Sequence, residues 1–195
     1  MTLLSTFALA YFLGSIPFGL LLTRMAGLGD VRAIGSGNIG ATNVMRTGRK
    51  FLGILTLLLD AGKGALAVIG VNYLYPNDFV PLAALFAMLG HIFPVWLRFK
   101  GGKGVATTIG IFGALNPMLG VTVCGAWLLV FLVTRVSSLA SLLSIGWSAV
   151  MAYVIADMFT AMMCLCMATL VTFTHRENIT RLLRGTELAF KKGSV

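Results

Sequence analysis

The chain has 195 residues, of which 58% are hydrophobic and only 11% carry a charged side chain. Soluble chains carry about 25% charged residues, and a soluble domain of this length cannot bury so much apolar surface. Composition therefore excludes a soluble globular domain and indicates an integral membrane protein. The formal net charge is +9, which in a membrane chain is typical of basic cytoplasmic loops, anionic lipid or an anionic substrate rather than of nucleic acid.

Apolar stretches predict seven membrane-spanning helices, since one crossing needs about 20 apolar residues. The stretch 104–134 holds 31 uncharged residues, which would form one helix about 46 Å long. Asn116-Pro117 in its middle favours a break into two crossings. The predicted spans are 2–23, 51–74, 79–97, 104–115, 117–134, 136–156 and 158–174, within one transmembrane domain of residues 1–195.

Basic residues set the predicted orientation of these spans. With seven crossings, one side of the membrane receives the segments 24–50, 98–103, 135 and 175–195, which hold 14 of the 15 Lys and Arg residues. The positive-inside rule then places the N-terminus outside and the C-terminus in the cytoplasm. The predicted fold is all-α, and the helix near 104–115 is short or broken, which is allowed only where protein or a polar cavity covers its ends.

The stretch GSGNIGATN (35–43) fits the G-x-G-x-x-G fingerprint of dinucleotide-binding loops. That fingerprint requires a preceding strand and a βαβ unit, whereas here a predicted membrane span precedes it. Glycines leave backbone amides uncovered, and Arg46 lies three residues after Asn43. Amides, a helix that begins near residue 41 and a guanidinium together predict an anion cradle, with short polar side chains from Ser36, Asn38, Thr42 and Asn43. The alternative is a flexible loop that caps a helix.

A second basic glycine stretch, RFKGGKG, covers residues 98–104. Lys100 and Lys103 can act as point charges on a phosphate, and the alternative is a positive-inside anchor. His91, inside a predicted span, is interpreted as a hydrogen-bonded structural histidine. Asp60 and Lys63 lie three residues apart on one predicted helix face, and mutual neutralisation is their expected role.

The third polar stretch, THRENITRLLRGTE (174–187), begins at a predicted membrane boundary. His175 is the candidate general base or proton handler, and Asn178 shares its helix face. Glu177 and Arg181 have i,i+4 spacing and are predicted to form a structural ion pair. A surface histidine is the alternative. The chain's two histidines lie far apart and its few carboxylates lack ligand spacing, so no metal site is expected. Because polar clusters near hydrocarbon are costly, the three stretches are predicted to form one site.

Three segments together carry a family resemblance: SGNIGATNVMR, GHIFPVWLRFKGGKGVAT and HRENITRLLRG followed two residues on by Glu187. They resemble the three cytoplasmic motifs of the bacterial acyl-phosphate:glycerol-3-phosphate acyltransferase family (PlsY), over essentially the whole chain. The resemblance implies acyl transfer from fatty acyl-phosphate to sn-glycerol 3-phosphate, giving lysophosphatidate and phosphate in phospholipid synthesis. It implies no cofactor, a location in the bacterial cytoplasmic membrane with a cytoplasmic active site, and the acyl-phosphate-producing enzyme as a partner.

Carried over from the motifs, Ser36 and His175 are the expected catalytic residues, and the glycerol hydroxyl attacks the acyl carbonyl directly. His175 or a substrate phosphate oxygen serves as base, and a covalent acyl-Ser36 is the alternative mechanism. The residues expected to bind substrate are Gly37, Asn38, Thr42, Asn43, Arg46, Arg49, Lys100, Gly102, Lys103, Gly104 and Asn178, and those expected to support the site are Glu177, Arg181, His91, Asp60 and Lys63.

Two other classes of function remain open on the residues alone. Basic glycine loops at broken helices also bind anions in transporters, so an organic-phosphate transporter is the main alternative. Against it, the basic residues cluster on one predicted face, and no inverted repeat is visible in the sequence. A structural membrane protein is the third class, and it would not need so many glycine and basic residues in its loops.

Overall fold

A computed structural model describes residues 2–75 and 79–190, and within these ranges it is helical and contains no strand. The ten α-helices of this part are α1 (Leu3–Gly14), α2 (Phe18–Met25), α3 (Ala41–Met45), α4 (Lys50–Leu74), α5 (Val80–Ile92), α6 (Val105–Leu115), α7 (Pro117–Thr134), α8 (Ser137–Ile155), α9 (Met158–Thr174) and α10 (Arg176–Leu183). Short 3₁₀ helices cover Val31–Ala33 and Val95–Leu97. Lys191 and Lys192, counted on the predicted basic side, lie outside the described residues.

Four helices are long and apolar enough to cross a membrane, and the described part has up to six spans if each of two bent helix pairs is one span. The four are α4, α7, α8 and the segment Val80–Leu97. The helix α6 is apolar but shorter. An all-helical, multi-pass membrane fold is therefore confirmed, whereas the count of seven crossings and the direction of the termini stay predictions.

The predicted break between 115 and 117 is present, and Asn116 explains its geometry. Asn116 Oδ1 accepts hydrogen bonds from the backbone N–H groups of Met118 and Leu119, at 3.0 and 3.2 Å. Pro117 occupies the first position of α7, where a missing N–H costs nothing. Asparagine as an N-cap followed by proline is a strong helix start, so α6 ends and α7 begins there.

The predicted span at 2–23 consists of two helices, α1 and α2, which are bent by 43° relative to each other and are together long and apolar enough for one span. The chain leaves the first helix at Ser15, whose N–H still reaches Tyr11 O at 2.8 Å. Pro17 lacks an N–H and disfavours helical backbone at Ile16. The two carbonyls of the break, Ser15 O and Ile16 O, accept hydrogen bonds from the side chains of Trp96 and Lys63 instead.

The chain divides into two compact units, Met1–Ala114 and Leu115–Val195. In the first unit, α1 packs on α5 and α4, and backbones approach closely through glycine. A Cβ on Gly90 would overlap the backbone of Tyr11, and one on Gly110 would overlap that of Ala61. Small residues serve helix packing in membranes because lipid gives no hydrophobic drive between helices.

The second unit is built on α8, which packs against both α7 and α9. Buried serines follow one side of α8, and Ser141 accepts a hydrogen bond of 3.0 Å from Trp127 Nε1 on α7. After α10 the chain returns to the start of α8, where the Phe190 N–H donates to Arg135 O at 2.9 Å. The Phe190 ring also meets that of Phe131 edge-on, with centroids 5.5 Å apart.

Candidate functional site

The first glycine loop, residues 35–43, is shaped by one buried amide side chain. Asn43 is 1% exposed. Its Nδ2 lies 2.9 Å from Val31 O, 3.1 Å from Ile34 O and 2.8 Å from Asn38 O, and its Oδ1 accepts the Ser36 N–H at 2.9 Å. Its polar atoms are thus bonded to the backbone of the loop and of the segment directly before it, so we assign Asn43 to holding the loop rather than to contact with phosphate.

Glycine is required at the turn that presents Ser36. Gly35 and Gly37 have φ of +54° and +70°, values that side-chain-bearing residues rarely adopt. A Cβ on Gly35 would overlap Asn43 Oδ1 and lie 3.0 Å from Arg46 Cδ. Ser36 is therefore carried on a tight turn against Asn43 and the Arg46 stem, and the anion cradle at this turn stays a prediction.

A small cluster of buried hydrophobic residues packs against the first glycine loop. Leu20 of α2, Val31, Ile39 and Val44 are buried together, and Leu97 packs against them from the start of the second glycine loop. A Cβ on Gly19 would overlap Ile39 O, so the loop backbone lies directly on α2. The predicted helix near residue 41 is confirmed as α3, a helix of 5 residues that ends at Met45, just before Arg46.

Asp30 neutralises two of the basic residues near the loop. Its carboxylate lies 3.1 Å from the Arg24 guanidinium and 2.6 Å from that of Arg32. The hydrogen bonds from Arg32, opposed by slight burial, hold the pKa of Asp30 well below its ordinary value, so these ion pairs persist at neutral pH. Arg46 and Arg49 follow in the sequence, and their role as anion ligands stays a prediction.

The second glycine loop, residues 98–104, rests on the end of α5. The Gly101 N–H donates to Ile92 O and the Gly102 N–H donates to His91 O, each at 3.0 Å. A Cβ on Gly102 would overlap the His91 ring. Gly102 and Gly104 are buried, while Lys100 is exposed and Lys103 is half-buried. The two glycines predicted to bind phosphate thus place the loop, and the lysines carry its charge.

Of the structural contacts predicted inside the spans, the Asp60–Lys63 ion pair is present. The Lys63 ammonium lies 2.7 Å from Asp60 Oδ1 on α4, as their spacing predicts. His91 is 4% exposed, and its Nδ1 lies 3.7 Å from the same oxygen. That distance is too long for a hydrogen bond, so the hydrogen bond predicted for His91 is not made to Asp60.

His175 lies at the junction of α9 and α10 and is 3% exposed. Its Nδ1 is 2.8 Å from Val171 O, one helical turn earlier. A carbonyl oxygen only accepts hydrogen bonds, so this contact assigns the proton to Nδ1 and leaves Nε2 as the basic nitrogen. The bond also fixes the ring orientation.

The predicted ion pair between Glu177 and Arg181 is wrong. Arg181 Nε instead donates to Glu187 Oε2 at 2.7 Å. Glu187 Oε1 accepts from Asn178 Nδ2 at 2.6 Å and from Ser138 Oγ at 2.9 Å. A carboxylate that receives three donors offers Arg181 a better partner than exposed Glu177, and a turn at Gly185, with φ +69°, returns the chain to that place.

Glu187 organises the end of α10, and spacing alone did not assign it this role. Partial burial raises the pKa of Glu187, but hydrogen bonds from Asn178, Arg181 and Ser138 and the charge of Arg181 outweigh it and lower the pKa. Asn178, predicted to bind substrate, is 3% exposed and contacts this carboxylate. The sequence signal for this role of Glu187 was its position two residues after Gly185, which ends an amphipathic helix and allows the chain to turn back.

These features define the class of the protein: a multi-pass helical membrane protein in which glycine loops, held by backbone hydrogen bonds, lie beside basic side chains. A family model described as "Glycerol-3-phosphate acyltransferase" matches residues 4–185. The chain belongs to the glycerol-3-phosphate acyltransferase family. This membership favours the acyltransferase interpretation over the organic-phosphate transporter.

Individual relatives agree with the family assignment. The glycerol-3-phosphate acyltransferase of Paramagnetospirillum magneticum is 54% identical over 177 residues, which cover 91% of this chain and 88% of the relative. That of Agrobacterium fabrum is 53% identical over 179 residues, covering 92% and 87%. The crystal structure of the integral membrane protein PlsY in its glycerol 3-phosphate form is similar, with a TM-score of 0.90, 39% identity and coverage of 96% and 95%.

Proposed function

We propose that this protein transfers a fatty acyl group from an acyl-phosphate to the 1-hydroxyl of sn-glycerol 3-phosphate. The ester bond forms between the acyl carbon and the glycerol oxygen, the acyl–phosphate bond breaks, and inorganic phosphate leaves with lysophosphatidate as product. The observation that carries this proposal is the first glycine loop, in which Ser36 lies between positive-φ glycines against Asn43 and Arg46, in a chain of a glycerol-3-phosphate acyltransferase family.

An acyl-phosphate fits this proposal because it is a mixed anhydride whose phosphate is a good leaving group. A covalent acyl-enzyme is therefore not needed. Ser36 and Asn38 hold the developing oxyanion or a phosphate, while Arg46 and Lys103 bind phosphates, with Arg49 and Lys100 as outer charges. Thr42 and Gly37 complete the first loop, and Gly102 and Gly104 place the second.

His175 receives the proton of the attacking hydroxyl at Nε2, since Nδ1 faces Val171 O. An imidazole can take up a proton near neutral pH and release it again, which suits a general base. A phosphate oxygen of the substrate is the competing base. If a His175→Gln variant keeps most of the wild-type kcat, the proton of the attacking hydroxyl goes to the phosphate oxygen of the substrate instead.

The same proposal sets the site at the cytoplasmic face of the bacterial inner membrane. The basic residues of the described loops fall in segments that the positive-inside rule assigns to the cytoplasm. An acyl-phosphate is amphiphilic and hydrolyses readily, so the enzyme that makes it is a natural partner at that face. Labelling of a cysteine introduced at Thr47 in right-side-out and inverted vesicles tests this orientation.

The test of function uses the purified full-length protein with radiolabelled glycerol 3-phosphate and either acyl-phosphate or acyl-CoA. Labelled lysophosphatidate is expected with acyl-phosphate alone. Product from acyl-CoA only would contradict the proposed donor. Radiolabelled acyl-phosphate without glycerol 3-phosphate should leave no label on the protein, and label trapped on Ser36 would overturn direct attack.

Charge variants test the phosphate ligands. Arg46→Ala and Lys103→Ala should each lower kcat/KM for glycerol 3-phosphate or the acyl donor by about 10- to 100-fold, because a hydrogen bond to a charged group contributes roughly 1.5–3 kcal/mol. Arg46→Lys should also be impaired if the contact is bidentate. Arg24→Ala is the matched control, since Arg24 is an exposed cation paired with Asp30. Wild-type kinetics in both alanine variants would remove these residues from the site.

A further inference from the structure

The first unit contains a buried charged group that the proposed chemistry does not use. Asp60 and Lys63 of α4 are in contact, with side chains only 3% and 1% exposed, and His91 of α5 lies beside them. Removing two charges from water is costly, and a pair of well-packed apolar side chains is often as stable. Neutralisation explains why the two charges occur together, but it does not explain why they are there.

At one end, this group reaches the break between α1 and α2. Lys63 Nζ donates to Ile16 O at 2.7 Å. The neighbouring carbonyl, Ser15 O, accepts from Trp96 Nε1, also at 2.7 Å. Trp96 belongs to the 3₁₀ helix Val95–Leu97, directly before the second glycine loop. The break is therefore held by one donor from α4 and one from the base of that loop.

At its other end, the group reaches the second glycine loop itself. His91 Nδ1 faces Asp60, while the other side of the ring meets the backbone of Gly102 so closely that a Cβ there would overlap it. The His91 carbonyl accepts the Gly102 N–H at 3.0 Å. A shift of the His91 ring would consequently move Gly102, next to Lys103.

The break also determines where the first glycine loop lies. It is followed at once by α2, and Gly19 of α2 lies against Ile39 O with no space for a Cβ. Leu20 of α2 is buried in the cluster under the loop. A change in the direction of α2 would therefore displace the residues that carry Ser36.

We propose that Asp60, Lys63 and His91 form a positioning network that fixes the two glycine loops relative to each other and thereby sets the affinity for glycerol 3-phosphate. The network runs from the second loop to His91, whose Nδ1 lies 3.7 Å from Asp60 Oδ1 without a hydrogen bond, and on through Lys63 to Ile16 O. It returns through Ser15 O and Trp96. None of the three is a catalytic residue. The inference rests on the proposed function, and it goes further by assigning glycerol 3-phosphate, rather than the acyl-phosphate, to these two loops.

The decisive variant is Asp60→Asn/Lys63→Met, which removes both charges and the donor to Ile16 O without leaving one charge buried alone. It should unfold within a few degrees of the wild type, because no unpaired charge remains. Its KM for glycerol 3-phosphate should rise at least about tenfold while the KM for acyl-phosphate changes less than about threefold. The single changes Asp60→Asn and Lys63→Met should unfold at clearly lower temperature.

Gly62→Ala is the matched control. It lies between the two charged residues on α4, and a Cβ there meets nothing within 4 Å. Wild-type KM values and unfolding temperature are expected. His91→Phe is the second variant, since it keeps a ring beneath Gly102 but removes the nitrogen that faces Asp60, and it too should raise the KM for glycerol 3-phosphate.

A folded double variant with the wild-type KM for glycerol 3-phosphate would overturn the network. Mutual neutralisation would then be the only role left for Asp60 and Lys63. If the double variant does not fold, wild-type kinetics in His91→Phe would overturn it equally. The proposed function fails separately, if the wild-type protein makes no lysophosphatidate. In that case, glycerol 3-phosphate binding can still be measured by the rise in unfolding temperature that it causes. A smaller rise in the variants than in the wild type would support the role of the network in binding.

Discussion

The first glycine loop and the segment after α10 are both held by a single polar side chain, but the two side chains have opposite chemistry. Asn43 acts mainly as a donor. Its Nδ2 donates to three backbone carbonyls, and its Oδ1 accepts one backbone N–H. Glu187 is only an acceptor, and its carboxylate receives Ser138, Asn178 and Arg181.

The difference suits what surrounds each segment. A neutral amide adds no charge beside a loop proposed to bind an anion, where a carboxylate would repel it. A carboxylate beside α10 instead neutralises Arg181 and binds donors from α8 and α10 together. The first loop is therefore expected to be insensitive to pH, and the segment around Glu187 to be sensitive to acid.

The largest expected effect comes from Asn43→Asp, which keeps the shape of the side chain and replaces its donor by a carboxylate oxygen. That oxygen would face the carbonyl oxygens of Val31, Ile34 and Asn38. Val31 O and Ile34 O keep the backbone N–H groups of Ile34 and Gly37 as donors, whereas Asn38 O loses the Asn43 donor and all three oxygens meet a like charge. Each lost partner in a buried place costs about 1–3 kcal/mol. We expect activity to fall at least about 100-fold and the unfolding temperature to drop in a thermal denaturation assay.

Asn116→Asp is the matched control for that change. There only Oδ1 is used, to cap α7, and aspartate caps helices as well as asparagine does. Near wild-type stability and activity are expected. An Asn43→Asp protein that behaved like Asn116→Asp would show that the loop does not depend on its amide donor.

Glu187→Gln should have an intermediate effect. The amide nitrogen would face one of the donors now bound, and Arg181 would lose its counter-charge, so a loss of about 2 kcal/mol in the free energy of unfolding is expected. Because the folded pKa of Glu187 is lowered, its stabilisation is present above the ordinary value of 4.5 and is lost as pH falls through the folded pKa.

The difference in unfolding temperature between wild type and Glu187→Gln should consequently be greatest near pH 7 and shrink below pH 4.5. Comparison of the two proteins at each pH cancels the contribution of other acids, such as Asp30. A difference that stays constant from pH 7 down to pH 3.5 would contradict the assigned role of the carboxylate.

Local signals in the sequence predicted most of the helices. Apolar stretches predicted α4 and α7–α9 nearly to the residue, and Asn116-Pro117 marked the start of α7 because a cap and a proline act within one turn. Pro17 was not sufficient to predict the break after α1, since prolines are tolerated inside membrane helices when neighbours supply the missing hydrogen bonds. Those neighbours, Lys63 and Trp96, are remote in sequence.

Partners of polar side chains were harder to predict for the same reason. Spacing predicted the Asp60–Lys63 pair, which lies on one helix face. It could not show that Asn43 would bind its own loop backbone, since a short amide in a glycine loop suits either a ligand or a turn. The convergence of the three polar stretches into one site also stays a prediction from their charge and motif pattern.

The smallest expected effect tests the ion pair that spacing predicted wrongly. Glu177 is exposed and Arg181 is bonded to Glu187 instead, so Glu177→Gln should change the free energy of unfolding by no more than about 0.5 kcal/mol. Activity should stay within about twofold of wild type, which an assay of lysophosphatidate formation measures. A loss as large as that of Glu187→Gln would mean that Arg181 exchanges between the two carboxylates. Comparison of Glu177→Gln with Glu187→Gln thus shows which carboxylate binds Arg181. Helix spacing allows the pair with Glu177, whereas the folded chain makes the pair with Glu187.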